Sequence, residues 1–175
     1  MGQYFMPVNE TKKEYFDAYD IDGGEKLLEW ILNLYECGTF TLLLMDKWKN
    51  DKITLVGEYD KSGLYNYAEE KFKDISKNIV KIKNEQFENF IKSKDKYVFV
   101  NEDDKTFVSG SSKQISRAVP ILLMESNEDG GDIENYESNE IAGKFAGKNV
   151  FVSKKNEFNT NKYTDMTKDL FGTKK

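Results

Sequence analysis

The sequence predicts an α+β protein with two similar hairpin/helix/strand halves joined by helices. Three observations predict this class. A strand–turn–strand pattern occurs twice, at 4–16 and at 97–108. The apolar run Leu42–Met45 has a counterpart in Ile121–Met124. Between these segments, apolar residues recur at helical spacing over 64–91. A chain of 175 residues is expected to form one domain, residues 1–175.

The first half begins with two strands, at 4–8 and 12–16, separated by a turn. Asp22 is placed to cap the following helix, with Glu25 three residues later. The apolar face of that helix consists of Leu27, Leu28, Ile31, Leu32 and Tyr35. Gly38 is its predicted stop. The run 39–45 fits either a helix or a strand, and 53–59 reads as a strand.

The opening order returns in the second half of the chain. The strands at 97–101 and 105–108 are followed by the second apolar run, an aromatic residue at 145 and a strand at 150–152. We interpret this as a degenerate internal duplication of sub-units 3–60 and 96–157, with a helical connector at 62–95 and a polar tail at 158–175. The residues predicted to be largely buried are Leu28, Trp30 or Ile31, Leu43, Leu55, Phe72, Val98, Leu122 and Val150.

The composition excludes several kinds of chemistry. There is no histidine and one cysteine, Cys37, so neither a Ser-His-Asp or Cys-His centre nor an imidazole or thiolate zinc site can form. Cys37 ends an apolar run and is expected to be a buried, unreactive thiol. We therefore predict no catalytic residues, no bound metal and no cofactor, and we do not expect an enzyme.

The charged residues argue against sequence-specific binding of nucleic acid. Of the 26 basic residues only Arg117 is an arginine, and the net charge is −5. Arginine is the preferred partner of phosphates and guanine edges, so sequence-specific nucleic-acid binding is not expected. The longest apolar runs are too short to cross a membrane, so a cytoplasmic location is predicted.

Several segments carry a resemblance that covers most of the chain. Met1–Tyr4, Val8–Asn9 and Lys12–Tyr15 resemble the opening of a group of uncharacterised small proteins of phages and bacterial mobile elements, which begin MGQY and carry a VN…KKEY segment. The glycine loop at 22–24 and the segment 48–60 are similar to later parts of that group. The resemblance implies a mobile-element context and a bacterial host cell, and it implies no activity.

A strongly acidic segment is the main candidate for partner binding. It contains seven carboxylates and no basic residue: Glu125, Glu128, Asp129, Asp132, Glu134, Glu137 and Glu140. Such a segment resembles the phosphates of a nucleic acid and would be attracted to a basic groove. The other interpretation is a solvated surface loop. The first thirty residues hold seven acids against three lysines, so they are candidates for the same face.

These observations favour a phage or mobile-element protein that binds and inhibits a bacterial defence component, for example a CRISPR effector, through an acidic surface. The expected partner is a bacterial host protein, and a nucleic-acid-binding complex is one kind of host protein that fits. One alternative is an immunity-type or adaptor protein that binds a toxin domain. Another is a metal-dependent carboxylate enzyme, for which the loops 20–24 and 129–132 offer oxygen ligands without EF-hand spacing.

Overall fold

The computed structural model describes residues 3–125 and 141–172. Within these ranges, nine strands form one mixed sheet, and five α-helices accompany it. The strands are β1 (Phe5–Asn9), β2 (Glu14–Tyr15), β3 (Asp51–Gly57), β4 (Lys73–Asp74), β5 (Lys96–Asn101), β6 (Thr106–Ser111), β7 (Met124–Glu125), β8 (Lys148–Lys154) and β9 (Thr164–Asp165). The helices are α1 (Leu27–Leu32), α2 (Leu34–Met45), α3 (Leu64–Lys71), α4 (Ser76–Lys92) and α5 (Ser112–Leu123). The predicted α+β class is confirmed.

The sheet has the same order of neighbours on both sides of its centre. Its path is β4-β2-β1-β3-β8-β5-β6-β9, and β7 also pairs with β3. The central strands β3 and β8 are antiparallel, with Lys52 opposite Asn149 in the middle of the pairing. Outward from each central strand come the two strands of a hairpin and then a two-residue edge strand that runs parallel to its neighbour.

Hydrogen bonds at the two sheet edges also correspond. The backbone N–H of Lys73 donates to the carbonyl of Lys13 at 2.9 Å, and that of Thr164 donates to the carbonyl of Lys105 at 2.8 Å. Lys13 and Lys105 occupy the two hairpin turns with φ of 56° and 55°. The origin of these halves in one duplicated unit stays a prediction.

Aromatic residues fill the core between the sheet and the helices. Phe16 lies at its centre, with ring centroids 5.9 Å from Trp30 and Phe40 and 6.0 Å from Trp48. The indole N–H groups are satisfied, because Trp30 donates to the carbonyl of Phe5 and Trp48 donates to the carboxylate of Glu14. These large side chains explain how a chain with 38% apolar residues builds a continuous core.

Most of the predicted core residues are buried, and one is not. The buried ones are Trp30, Ile31, Leu43, Leu55, Val98, Leu122 and Val150. Phe72 is half-buried, whereas Leu28 is 40% exposed, so its predicted burial is wrong. The cause is a break at Asn33, which divides the predicted helix into α1 and α2 and leaves one apolar side of α1 facing solvent.

Two predicted helix signals have other roles. Gly38 lies inside α2 and does not end it; a Cβ there would lie 2.7 Å from the Phe87 ring, so the glycine lets α4 pack closely. Asp22 does not cap α1, which begins at Leu27, but closes a 3-10 turn at Ala18–Ile21 with φ of 60°. The ambiguous run 39–45 is helical because it continues α2.

The second face of the sheet is covered separately in each half. In the first half, α3 packs on Met6, Val8 and Val56. In the second half, Phe158 and Tyr163 pack on a cluster around Phe151. The segment predicted as a polar tail therefore contributes to packing, and β9 extends the sheet beside β6. No helix in the described ranges is long and apolar enough to cross a membrane.

Candidate acidic interaction site

Only one member of the predicted acidic segment belongs to the described part of the chain. Glu125 is the exposed last residue of β7 and lies opposite Val56 of β3. The remaining predicted residues lie outside the described residues: Glu128, Asp129, Asp132, Glu134, Glu137 and Glu140. The structure therefore fixes where the acidic segment begins, next to the end of the central strand β3.

Glu125 begins a region in which carboxylates act on one another. Partial desolvation raises its pKa, and the negative charges of Asp60 and Glu10 raise it further. Asp60 belongs to the turn that follows β3, where its backbone N–H donates to the carbonyl of Gly57 at 3.0 Å. The same turn carries Glu58, so β3 directs the acids at its end toward Glu125.

Glu58 of this turn lies close to three carboxylates from other segments. The group of four consists of Asp17, Glu25, Glu58 and Glu69. The Asp17 carboxylate caps the 3-10 turn by accepting the backbone N–H of Tyr19 at 2.9 Å. The Glu25 carbonyl accepts the N–H of Phe5 at 2.7 Å, which ties the glycine loop to β1. Glu58 accepts the N–H of Tyr4 at 3.1 Å, and Glu69 lies exposed on α3.

Glu25 shows the effect of this crowding most clearly. Its pKa is raised to about 7, first by burial, then by a hydrogen bond to the Asp17 carboxyl group, and then by the charges of Asp17, Glu58 and Glu69. A neighbouring negative charge disfavours the ionised form of a carboxyl group, so Glu25 holds its proton to a higher pH than an isolated glutamate. The half-buried Tyr65 also has a raised pKa, through burial and the same group of acids.

The lysines do not neutralise these carboxylates. The charged groups that most strongly shift the pKa values of Tyr15, Glu25, Tyr65 and Glu125 are carboxylates. In the described ranges, the ion pairs involve other acids, such as Asp51, and include none of Asp17, Glu25, Glu58, Asp60, Glu69 and Glu125. We call these six residues the acidic face.

Exposed tyrosines accompany the acidic face. Tyr4 is 45% exposed and its backbone contacts Glu58, Tyr59 is 44% exposed, and Tyr67 on α3 is 57% exposed. Tyrosine is enriched at protein interfaces because it offers a large rigid ring and a polar hydroxyl at low entropic cost. The combination of unpaired acids with tyrosines is suited to binding a basic protein surface.

The loop proposed as a cation site has a different environment. Asp22 is paired with Lys83, whose ammonium lies 3.2 Å from its carboxylate. Lys83 also donates to the carbonyl of Ile21 at 3.1 Å. Across residues 3–125 and 141–172, no group of three or more His, Cys, Asp or Glu residues is placed to hold a metal ion. The loop at 129–132 lies outside the described residues.

The sequence pointed to some of these residues. Asp17 and Glu25 belong to the acid-rich first thirty residues, which were candidates for the same face as the segment 125–140, and that shared face stays a prediction. Glu58, Asp60 and Glu69 were missed because they come from separate segments that only the pairing of β1 with β3 and the packing of α3 bring together. No protein-family model, curated protein or solved structure matches this chain.

Proposed function

We propose that this protein binds a basic surface of another protein with its acidic face and blocks that surface. Two adjoining groups of carboxylates carry the proposal, one of Asp17, Glu25, Glu58 and Glu69 and one of Asp60 and Glu125, which form no ion pair within the described ranges and are accompanied by exposed tyrosines. Charges of one sign collected on one surface raise association rates with an oppositely charged partner and repel nucleic acid. The partner is therefore a protein rather than DNA or RNA.

The partner we propose is a nucleic-acid-handling component of a bacterial defence system, such as a CRISPR effector, acting in the cytoplasm of the host cell. Such a protein exposes a basic channel for phosphates, and an acidic face can occupy that channel. The resemblance of the chain to phage and mobile-element proteins supports the defence context. An immunity-type role against a toxin would use the same face and differ only in the partner.

Capture from a bacterial lysate, read by mass spectrometry, tests the proposal. The informative variant is Glu69→Lys/Glu125→Lys, because both side chains are exposed and belong to the acidic face. Its control is Glu85→Lys/Glu157→Lys, which makes the same change in net charge at exposed positions elsewhere. We expect the first pair to lose the captured protein and the control to retain it. Equal capture by both variants would contradict the proposal.

Salt and competition identify the kind of partner. Binding should weaken as ionic strength rises, because exposed charges are screened within roughly 10 Å at 0.1 M salt. Single-stranded DNA should compete with this protein if the partner is a nucleic-acid-handling complex. An unchanged affinity in the presence of DNA would instead point to a toxin domain.

The segment beyond Glu125 has its own test. Reversal of Glu128, Asp129, Asp132 and Glu134 to Lys should slow association with the captured partner and leave the fold intact, since surface substitutions usually change stability within about 0.5 kcal/mol. Surface plasmon resonance separates association from dissociation. If the association rate does not change, this segment is a solvated connection, and the acidic face of the described residues acts without it.

A further inference from the structure

A shallow apolar groove lies along α1, on the other side of the glycine loop that carries Glu25. Its volume is about 340 Å³, and it is lined by Gly24, Leu28, Glu29, Leu32 and Asn33. Leu28 and Leu32 are 40% and 60% exposed and lie four residues apart, which places them one above the other on the helix. Paired leucines exposed in this way are typical of an interaction site.

The fold explains why these leucines face outward. The inner side of α1 is already formed by Leu27, Trp30 and Ile31, which are buried in the core. Asn33 then ends α1 and caps α2, accepting the backbone N–H of Glu36 at 3.3 Å. The outer side of this short helix is consequently left without a covering element in the described structure.

One acidic side chain belongs to the groove lining, and a second acid lies buried behind the adjacent loop. Glu29 lines it, and its carboxylate accepts the backbone N–H of Lys26 at 3.1 Å. Behind the glycine loop lies Glu36, which is fully buried and whose carboxyl oxygens have no hydrogen-bond partner within residues 3–125 and 141–172. Cβ atoms at Gly23 and Gly24 would lie 1.9 Å from the Glu36 carboxyl and 2.0 Å from the Glu29 carboxyl. The two glycines therefore allow both acids to approach the groove wall.

We propose that this groove anchors a basic, amphipathic segment of the partner protein, with an apolar side chain between Leu28 and Leu32 and a neighbouring Lys or Arg beside Glu29. Charge complementarity selects this occupant, because the exposed carboxylate of Glu29 in the groove lining would attract a basic segment and repel an acidic one. The proposal rests on the proposed function, since it names the part of a basic partner that the acidic face brings into contact.

A defined probe tests the groove without the partner. The probe is a synthetic 18-residue amphipathic helix of Lys and Leu, and the control peptides replace every Lys by Glu or every Leu by Ser. Nuclear magnetic resonance of the isotope-labelled full chain maps the contacts and yields the dissociation constant. We expect the amide signals of Leu28, Glu29 and Leu32 to shift with the Lys/Leu peptide only.

Variants of the protein make the test specific. Leu28→Ser/Leu32→Ser should weaken binding of the Lys/Leu peptide about tenfold, while Tyr19→Ser, which removes a ring that is 77% exposed outside the groove, should not. Both leucines are substantially exposed, so the fold should persist, and thermal unfolding checks this. Equal weakening by Tyr19→Ser and the leucine variant would overturn the groove as the site.

The remaining outcomes also decide the proposal. Equal binding of the Glu/Leu peptide would refute a basic occupant. Shifts of Leu28 and Leu32 that grow with protein concentration in the absence of peptide would show that a second copy of the chain fills the groove. If shifts appear only at Glu58 and Glu69, the groove proposal fails and the proposed function stands. If the groove binds the peptide but charge reversal on the acidic face does not affect host capture, the proposed function fails instead.

Discussion

Replacement of the buried Glu36 by glutamine should stabilise the protein, and increasingly so as pH rises. Burial raises the pKa of Glu36 to about 9, and the charges of Glu29 and Glu25 add to the effect, whereas the nearby Gly24 amide opposes it. The pKa of an unperturbed glutamate is about 4.5. Between these values the folded state keeps its proton while the unfolded state releases it, so the free energy of unfolding falls as pH rises.

The expected gain in stability follows from the pH range between the pKa of Glu36 in the unfolded protein and its pKa in the folded protein. The free energy of unfolding falls by about 1.4 kcal/mol per pH unit, so that of the natural protein is about 3 kcal/mol lower at pH 7 than at pH 4.5. Glutamine has nearly the same shape and cannot ionise. Glu36→Gln should therefore match the natural protein near pH 4.5 and exceed its stability by about 3 kcal/mol at pH 7.

Urea unfolding at pH 5, 6, 7 and 8 measures this difference, with the fluorescence of the buried Trp30 and Trp48 as the signal. The matched control is Glu85→Gln, an exposed glutamate on α4, which should show no pH-dependent gain. The pKa of Glu25 is also raised, but this residue is present in every variant and its effect largely cancels. A difference between Glu36→Gln and the natural protein that stays constant from pH 5 to pH 8 would refute the reasoning.

Three further outcomes are expected. Gly23→Ala should destabilise the protein by about 1–3 kcal/mol in urea unfolding, because the new methyl group collides with the Glu36 carboxyl group; a neutral effect would mean that the loop moves freely. Leu43→Ala should cost about 2–5 kcal/mol in the same assay, because Leu43 is completely buried, and a loss below that range would indicate a loosely packed core. Asp17→Asn should lower the pKa of Glu25 in a carbon-detected magnetic resonance titration, because a like charge is removed; an unchanged pKa would show that the charge of Asp17 does not act on Glu25.

The strands and the longer helices were predictable because their patterns are local. Short apolar segments joined by turns placed β1 and β5 correctly, and helical spacing placed α3 and α4 to within a few residues. The division of the first predicted helix was not predictable, since a continuous apolar face extends from Leu27 to Tyr35 and Asn33 is compatible with a helix interior. The stop assigned to Gly38 failed for a related reason: this glycine serves a contact with Phe87, which is distant in sequence.

The acidity of these parts of the sequence was predictable, but the residues that lie together on the acidic face were not. Local composition showed that the first thirty residues and the segment after 124 are acidic. It could not show that Glu58 and Glu69 face Glu25, because that proximity depends on pairing between β1 and β3 and on the packing of α3. Nor could it indicate that Glu36 is buried, because helical spacing does not distinguish a buried glutamate from an exposed one.

The two edges of the sheet show that the backbone hydrogen bond at Asp17 does not require an acidic side chain. At one edge, the backbone N–H of Asp17 donates to the hydroxyl of Ser76 at 3.1 Å. At the other edge, the N–H of Ser109 donates to the hydroxyl of Thr167 at 2.8 Å. The same hydrogen bond is thus made with a neutral residue in the place of Asp17. The Asp17 carboxylate also caps the 3-10 turn by accepting the N–H of Tyr19, and a serine hydroxyl can make the same cap. If the acidic face binds the partner as proposed, Asp17→Ser should therefore weaken capture of the partner without a large loss of stability.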